Sequence, residues 1–259
     1  MPVDNDLYDR LSHTWWDEDG FLNLLKSGFN PARFGYMKRV LTDQLYLEPR
    51  GLSVLDVGSG GGLLAEEFAA LGCEVTGVDP SGESVSVARV HADEQGLQIE
   101  YRQASGEALP FEEGRFRVVY CCDVLEHVDD VGQTIAEIAR VLEPEGVFLY
   151  DTINRTRRSK LIMIKLAQDW SATAWADPGL HGFEMFIRPE EVESQMRTAG
   201  LEVRERVGFA PANPATALKA MWDRAHGKIT YADMGERLRI QESPDTSTAY
   251  GGYASKPVT

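Results

Sequence analysis

Between residues 53 and 153, short apolar runs alternate with amphipathic stretches. Short apolar runs rich in β-branched residues are typical of buried strands, and apolar positions three and four apart are typical of helices. Strands that alternate with helices favour an α/β fold with a doubly wound, mostly parallel sheet. The predicted strands are Ser53–Val57, Glu74–Val78, Gln98–Tyr101, Val118–Cys122 and Val147–Thr152, and the predicted helices are Leu63–Leu71, Gly82–Gln95 and Val131–Leu142.

The sequence on either side of this region is organised differently. Residues 1–48 have a helical pattern with many aromatic side chains, and we expect them to form an N-terminal helical cap on a main domain of residues 49–259. Residues 155–187 interrupt the alternation with a basic and apolar segment, which predicts an inserted lid. A helix that starts at Pro189 and two strands, Leu201–Val207 and Thr248–Ser255, are predicted after it.

A glycine cluster follows the first predicted strand. Gly58, Gly60 and Gly62 come directly after the apolar run that ends at Val57, and a helical pattern begins at Leu63. Because glycines allow positive φ and a close approach of the backbone to a ligand, this strand, turn and helix predict a nucleotide-type binding loop. The dinucleotide fingerprint would need a further glycine where Leu63 stands. The loop therefore favours another cofactor over NAD, and an NAD-linked oxidoreductase is the rival interpretation.

Asp123, Glu126 and His127 follow the fourth predicted strand. Ligands of doubly wound sheets bind beyond the carboxyl ends of the strands, so we expect this segment beside the cofactor. On a helical turn Asp123 would share a face with the other two, and two carboxylates with an imidazole can bind Mg²⁺ or a similar ion. Alternatively, His127 acts alone as a general base, or Asp123 caps a helix and His127 only packs. The spacing leaves all three interpretations open.

The composition restricts the partners. A net charge of -15 and a pI near 4.8 argue against a nucleic acid partner. The cysteines at positions 73, 121 and 122 lack metal-type spacing and are expected to be thiols of a reducing compartment. Since neither a signal peptide nor an apolar run of membrane-spanning length is visible, we expect a cytoplasmic protein with a small-molecule substrate.

Six segments together resemble the ubiquinone-biosynthesis O-methyltransferases, class I S-adenosylmethionine (SAM) methyltransferases that act on hydroxyls of polyprenylated catechol rings. The D-x-G-x-G-x-G loop that begins at Asp56 is shared by all class I methyltransferases, whereas most of the other segments are narrower. The resemblance runs from about Trp15 to Ser255. The segments are Trp15–Asp17, Asn30–Tyr36, Leu55–Glu66, Cys122–Val128, Thr152–Arg155 and His181–Glu190.

The resemblance implies a Rossmann-like fold with a seven-stranded sheet and a SAM site. It places Arg33 at the SAM carboxylate, a charge-assisted contact that arginine makes well, and Asp79 at the ribose hydroxyls. It also assigns Asp123, Glu126 and His127 as catalytic residues and ligands of a divalent metal, with Mg²⁺ the expected ion. The implied cofactor-binding residues are Arg33, Asp56, Gly58, Ser59, Gly60, Asp79, Pro80, Ala104, Ser105 and Cys122.

We therefore expect a SAM-dependent O-methyltransferase that acts on a catechol-like, polyprenylated aromatic hydroxyl. Metal coordination would lower the pKa of that hydroxyl. The alternatives are a small-molecule O- or N-methyltransferase of secondary metabolism, an NAD-linked oxidoreductase, and a non-catalytic SAM-binding protein. Residues 157–175 are expected to act as a lid with peripheral membrane contact, and an ordinary core helix is the alternative. The sequence does not specify the oligomeric state.

Overall fold

The computed structural model describes residues 5–258, so residues 1–4 of the expected cap and the last residue lie outside the described chain. The described residues fold around one sheet whose eight strands are β1 (Ser53–Val57), β2 (Glu74–Asp79), β3 (Ile99–Gln103), β4 (Phe116–Cys122), β5 (Leu142–Ile153), β6 (Glu202–Pro211), β7 (Ile240–Ser243) and β8 (Ala249–Ser255). Their order is β3-β2-β1-β4-β5-β8-β6-β7. The first five strands pair in parallel and the last three pair antiparallel.

The expected doubly wound, mostly parallel fold is confirmed, with one correction. The sheet has eight strands where seven were expected, because β7 adds an antiparallel edge strand beside the end of β6. The order of the parallel strands reverses between β1 and β4, which are neighbours although they are not consecutive. A reversal of this kind opens a crevice at the carboxyl ends of the strands, where ligands of such sheets bind.

Helices pack on both faces of the sheet, and further helices lie before β1 and after β6. In the part of the chain that the structure describes, three segments are π-helical (Leu25–Phe29, Val40–Gln44 and Lys160–Asp169) and three are 3₁₀ turns (Ser12–Thr14, Leu125–His127 and Phe183–Met185). No helix within residues 5–258 is long and apolar enough to cross a bilayer. The α-helices are α1 (Asn5–Leu11), α2 (Asn30–Arg39), α3 (Leu63–Ala70), α4 (Gly82–Glu94), α5 (Val131–Val141), α6 (Arg157–Ser159), α7 (Pro189–Thr198), α8 (Pro214–Ala225) and α9 (Tyr231–Leu238).

The central strands are apolar on both faces because both faces are covered. In β4, Val118 and Tyr120 point into one core cluster, while Val119 and Cys121 point into the other. All four side chains are fully buried. This two-sided burial explains why the strands are continuous apolar runs in the sequence rather than alternating ones.

Two parts of the chain differ from the sequence predictions. β5 begins at Leu142, so the strand includes residues 144–146, where a turn before the strand was expected. Within these residues Glu145 has φ +63°, and its N–H donates to the carbonyl of Lys256 at 3.0 Å. The sequence pattern also missed α8, α9 and β7. The buried face of α8 and α9 packs against Leu24 of the N-terminal segment, so this cluster forms only when distant parts of the chain meet.

Candidate active site

The glycine loop after β1 has a backbone conformation that only glycine accepts easily. Gly58 and Gly60 have φ values of +79° and +50°, in the left-handed region that costs other residues energy. A Cβ at Gly58 would lie 2.1 Å from the side chain of Val124, and one at Gly60 would lie 2.4 Å from the indole of Trp15. Both the conformation and the close contacts therefore require glycine here.

Two tryptophans fix the N-terminal segment against this loop. The indole N–H of Trp15 donates to Ser84 Oγ at 3.1 Å, and the indole N–H of Trp16 donates to the carbonyl of Gly61 at 2.9 Å. Trp15 is also buried. The segment that precedes α2 thus packs directly on the loop and forms part of the wall of the crevice.

Two buried carboxylates follow β1 and β2. Asp79 accepts hydrogen bonds from the backbone N–H groups of Gly60 at 2.8 Å and Ser81 at 2.9 Å. Burial raises the pKa of Asp79 to about 6, although these two donors oppose the rise. Burial also raises the pKa of Asp56 to about 8. Asp79 therefore ties the glycine loop to the start of α4 and presents a carboxylate to the crevice.

Arg33 of α2 is buried among acidic groups at the ends of β4 and β5. Its guanidinium pairs with the carboxylates of Asp123 and Asp151 and donates to Asn30 Oδ1 at 3.3 Å. Burial lowers the pKa of Arg33, but the two carboxylates more than offset that effect and raise it. In addition, the backbone N–H of Asp123 donates to Asp151 Oδ1 at 3.0 Å. The cluster contains one positive and two negative groups.

His127 lies beside a second histidine and a tyrosine. The rings of His127 and His181 are 5.1 Å apart between centroids, and Tyr8 Oη lies 3.3 Å from His127 Nε2. Burial lowers the pKa of His127 to about 3, and the neighbouring His181 adds to this effect while Asp123 opposes it. Burial likewise lowers the pKa of His181 to about 4. Both imidazoles are therefore neutral near pH 7 and can accept a hydrogen bond, while the same burial makes each of them a weak base in this structure.

Asp123, Glu126 and His127 do not share a helical face, so that prediction is wrong. Asp123 has φ +53° and residues 125–127 form a single 3₁₀ turn. Glu126 turns away from the main cavity and accepts a hydrogen bond from Thr152 Oγ1 at 2.7 Å. Its pKa is raised by burial and by the Asp123 carboxylate.

These three side chains do not fit the expected Mg²⁺ ion in this arrangement. Asp123 is paired with Arg33, and Glu126 lies against a different cavity from the other two. Within residues 5–258 there is no group of three or more histidine, cysteine, aspartate or glutamate side chains placed to hold a metal ion. His127 and Asp123, by contrast, both line the main cavity.

One cavity of about 560 Å³ brings most of the predicted site together. It is lined by every predicted cofactor-binding residue except Ala104, whose backbone N–H donates to the carbonyl of Asp79. The same cavity continues along apolar side chains of the N-terminal segment, the π-helical segment Lys160–Asp169 and α8. These side chains include Phe21, Leu24, Leu25, Phe29, Leu161, Ile162, Met163, Leu166, Ala217, Leu218 and Met221.

Sequence reasoning missed Asp151 and Tyr8, as well as the contribution of α8. Asp151 carries a signal that could have been used, because it stands near the carboxyl end of an apolar strand, as Asp56 and Asp79 do. Tyr8 and α8 carry no comparable signal. They reach the cavity only through contacts between segments that are far apart in the chain.

Comparison with known proteins gives relatives over most of the chain. A family model described as a methyltransferase domain matches residues 55–150. The ubiquinone biosynthesis O-methyltransferase of Azorhizobium caulinodans is 38% identical over 208 residues, which cover 78% of this chain and 81% of that protein. The protein of the same name from Methylobacterium nodulans is 36% identical over 257 residues, covering 97% and 93%.

A solved structure shows the same fold. The SAM-dependent methyltransferase of Aquifex aeolicus matches with a TM-score of 0.60 at 15% identity, and the match covers 99% of each chain. At that identity the likeness concerns the fold alone.

Proposed function

The chain belongs to the ubiquinone biosynthesis O-methyltransferase family of SAM-dependent enzymes, and we propose that it methylates a hydroxyl of a catechol-like, polyprenylated aromatic acceptor. One observation carries the proposal. A single cavity is lined by the glycine loop, by His127 and Asp123, and by a long apolar wall. The interpretation of the glycine loop as part of an NAD-linked oxidoreductase is wrong, because the matching family model and the curated relatives are methyltransferases.

The glycine loop and its neighbours fit SAM. A Cβ at Gly58 or Gly60 would collide with Val124 or Trp15, so the loop carries no side chain at these positions and its backbone packs closely against its neighbours. We propose that Asp79 accepts hydrogen bonds from the ribose hydroxyls and that Arg33 binds the carboxylate of the methionine moiety. SAM supplies an electrophilic methyl group on a sulfonium. The protein contributes alignment, since transfer to oxygen is an in-line displacement whose rate depends on orientation.

His127 is the residue that we propose to accept the proton of the acceptor hydroxyl. Its imidazole is neutral because burial lowers its pKa to about 3. The same shift weakens it as a base, so this role depends on a neighbouring carboxylate that stabilises the imidazolium. Asp123, which also lines the cavity, favours the protonated form of His127 and would stabilise the imidazolium as it forms. His181, at 5.1 Å between ring centroids, forms the other side of this pocket.

The apolar wall fits the polyprenyl part of the proposed acceptor. Side chains from the N-terminal segment, residues 160–169 and α8 line it together. An apolar chain gains about 0.8 kcal/mol for each methylene that leaves water. A small phenol without such a chain would leave most of this wall uncovered, so the small-molecule methyltransferase of secondary metabolism is the less favoured reading.

Methyl transfer from labelled SAM to a catechol with and without a prenyl chain tests this proposal. We expect turnover of both acceptors and a lower KM for the prenylated one, because the chain adds apolar burial. Equal KM values would remove the prenyl assignment, and failure of every catechol, with SAM still bound, would remove the acceptor class.

The same assay in EDTA tests whether a metal ion is needed. Turnover that persists supports His127 as the base, whereas loss that Mg²⁺ restores would mean that the acidic residues rearrange to hold the ion.

We also propose that residues 155–187 form a lid whose outer side contacts a membrane. Leu161 lines the cavity and is 45% exposed, while Trp170 is 51% exposed. Lys160, Lys165 and Arg158 lie in the same segment. Exposed apolar and aromatic side chains beside basic ones are typical of interfacial segments, and a membrane-dissolved acceptor would enter the cavity at this point.

The double substitution Leu161→Glu and Trp170→Glu is expected to lower binding to vesicles of phosphatidylcholine with phosphatidylglycerol. The loss should be about tenfold or more, because two apolar side chains no longer enter the interface. Flotation measures the bound fraction. Val90→Glu is the matched control, since Val90 is 59% exposed on α4 and does not line the cavity. Equal binding of the double variant and the wild type would exclude this contact.

A further inference from the structure

Asp151 is a buried carboxylate that does not line the cavity. It lies near the end of β5, is 2% exposed and is absent from the cavity wall. A buried carboxylate is costly unless it is paired and hydrogen-bonded. The contacts that compensate Asp151 both lead to residues that do line the cavity.

The first contact is with Arg33. Asp151 Oδ2 accepts from Nε of Arg33, while Asp123 Oδ2 accepts from Nη2 on the same edge of the guanidinium. The side chain of Asp151 is 3% exposed and that of Asp123 is 28% exposed. Asp123 is thus the outer and more accessible of the two partners, and Asp151 is the inner one.

The second contact is with the backbone of Asp123. Its N–H donates to Asp151 Oδ1 at 3.0 Å, and Asp123 has φ +53°. A non-glycine residue in this conformation persists only where its surroundings hold it. The two oxygens of Asp151 therefore fix the guanidinium of Arg33 and the turn that carries Asp123 relative to each other.

We propose that Asp151 is a positioning residue for the amino-acid part of SAM. It holds Nε of Arg33 so that Nη2 stays directed at the cavity, where an incoming α-carboxylate replaces Asp123. The cluster holds one positive and two negative charges, so the displaced Asp123 carboxylate has lost its cation and pairs with the α-ammonium group. This proposal rests on the proposed contact between Arg33 and SAM.

Calorimetric binding of S-adenosylhomocysteine and of 5′-methylthioadenosine to the Asp151→Asn enzyme tests the role. An amide keeps one oxygen acceptor, so at least one of the two contacts is lost. We expect the Kd of S-adenosylhomocysteine to rise about tenfold to a hundredfold, as for the loss of a charge-assisted hydrogen bond. The Kd of methylthioadenosine, which lacks the carboxylate and the ammonium, should stay unchanged. KM for SAM should rise more than kcat falls.

Two comparisons separate this role from a structural one. Glu193→Gln removes a buried carboxylate that pairs with Arg197 and Arg206 on α7 and β6, outside the cavity, and should leave both ligands bound as in the wild type. Asp151→Ser, a second variant that also removes the charge, should show the same split between the two ligands. Weakening of both ligands to the same extent, or of neither, overturns the proposal.

The outcome for Arg33 distinguishes the two proposals. If Arg33→Ala weakens S-adenosylhomocysteine and Asp151→Asn does not, only the role of Asp151 fails. If Arg33→Ala has no effect on that ligand, the proposed cofactor contact itself fails. In the Arg33→Ala background, Asp151→Asn should add less loss than it does in the wild type, because the contact with the guanidinium is absent and only the contact with the turn of Asp123 remains.

Discussion

Replacement of His127 by alanine is expected to lower kcat about 10²- to 10⁴-fold, the usual contribution of a positioned general base. The affinity for SAM should stay close to the wild-type value, because His127 contacts Tyr8 and His181, and neither is among the proposed SAM-binding residues. Steady-state methyl transfer and calorimetry of SAM binding measure the two quantities separately. Imidazole in the buffer should restore part of the rate, since it can replace the missing base.

A control variant and the pH dependence of the wild type accompany this measurement. His226→Ala, at the end of α8, should leave kcat unchanged because His226 is exposed and does not line the cavity. In the wild type, His127 should stay neutral between pH 5 and 8 because its pKa is lowered to about 3. Its titration should therefore cause no change in rate over this range. A parallel loss of SAM affinity in His127→Ala would instead indicate a structural role.

Gly60→Ala is expected to weaken SAM binding about a hundredfold or more. The new Cβ would lie 2.4 Å from the buried Trp15 ring, at a φ of +50°. Left-handed strain costs about 1–3 kcal/mol, and overpacking of a filled site costs about as much again. The free variant can relax by displacing Trp15, so binding has to restore the loop and the affinity falls by that cost.

Gly96→Ala is the matched control for this substitution. Gly96 also has positive φ, +68°, but a Cβ there would meet no atom within 4 Å. The control therefore carries the backbone strain without the collision and lies outside the cavity wall. Calorimetry should give wild-type SAM affinity for Gly96→Ala, and thermal melting should show a smaller loss of stability than for Gly60→Ala. Equal SAM affinities in both variants would contradict the packing of Trp15 on the loop.

The helices and strands of the central region were predicted well because their signals are local. β1 has the predicted bounds, and the predicted bounds of α3, α4 and α5 are one residue longer than the observed ones. The apolar runs are continuous since both sheet faces are covered, and a helix face repeats within a few residues. α8 and α9 were missed because their apolar side chains face Leu24, which is far away in the chain.

In the candidate site, too, the features with local signals were predicted, and those that depend on contacts between distant segments were not. The sequence by itself predicted the glycine loop after β1, because the positive φ values and the close contacts restrict which residues can stand there, and it predicted a carboxylate at the end of β2. It also determined the family, through segments that keep their order along the chain. It gave the residue types at positions 123, 126 and 127, but not their geometry.

Only the tertiary structure decided what those three residues contact. The left-handed φ of Asp123 ends the helical periodicity on which their shared face depended, so Glu126 turns towards Thr152 and His127 towards Tyr8. Arg33 of α2 pairs with Asp123 and Asp151, which lie at the ends of two different strands, β4 and β5. Contacts of this kind depend on which segments the fold brings together, and a pattern of neighbouring residues does not encode a distance between residues 33 and 151.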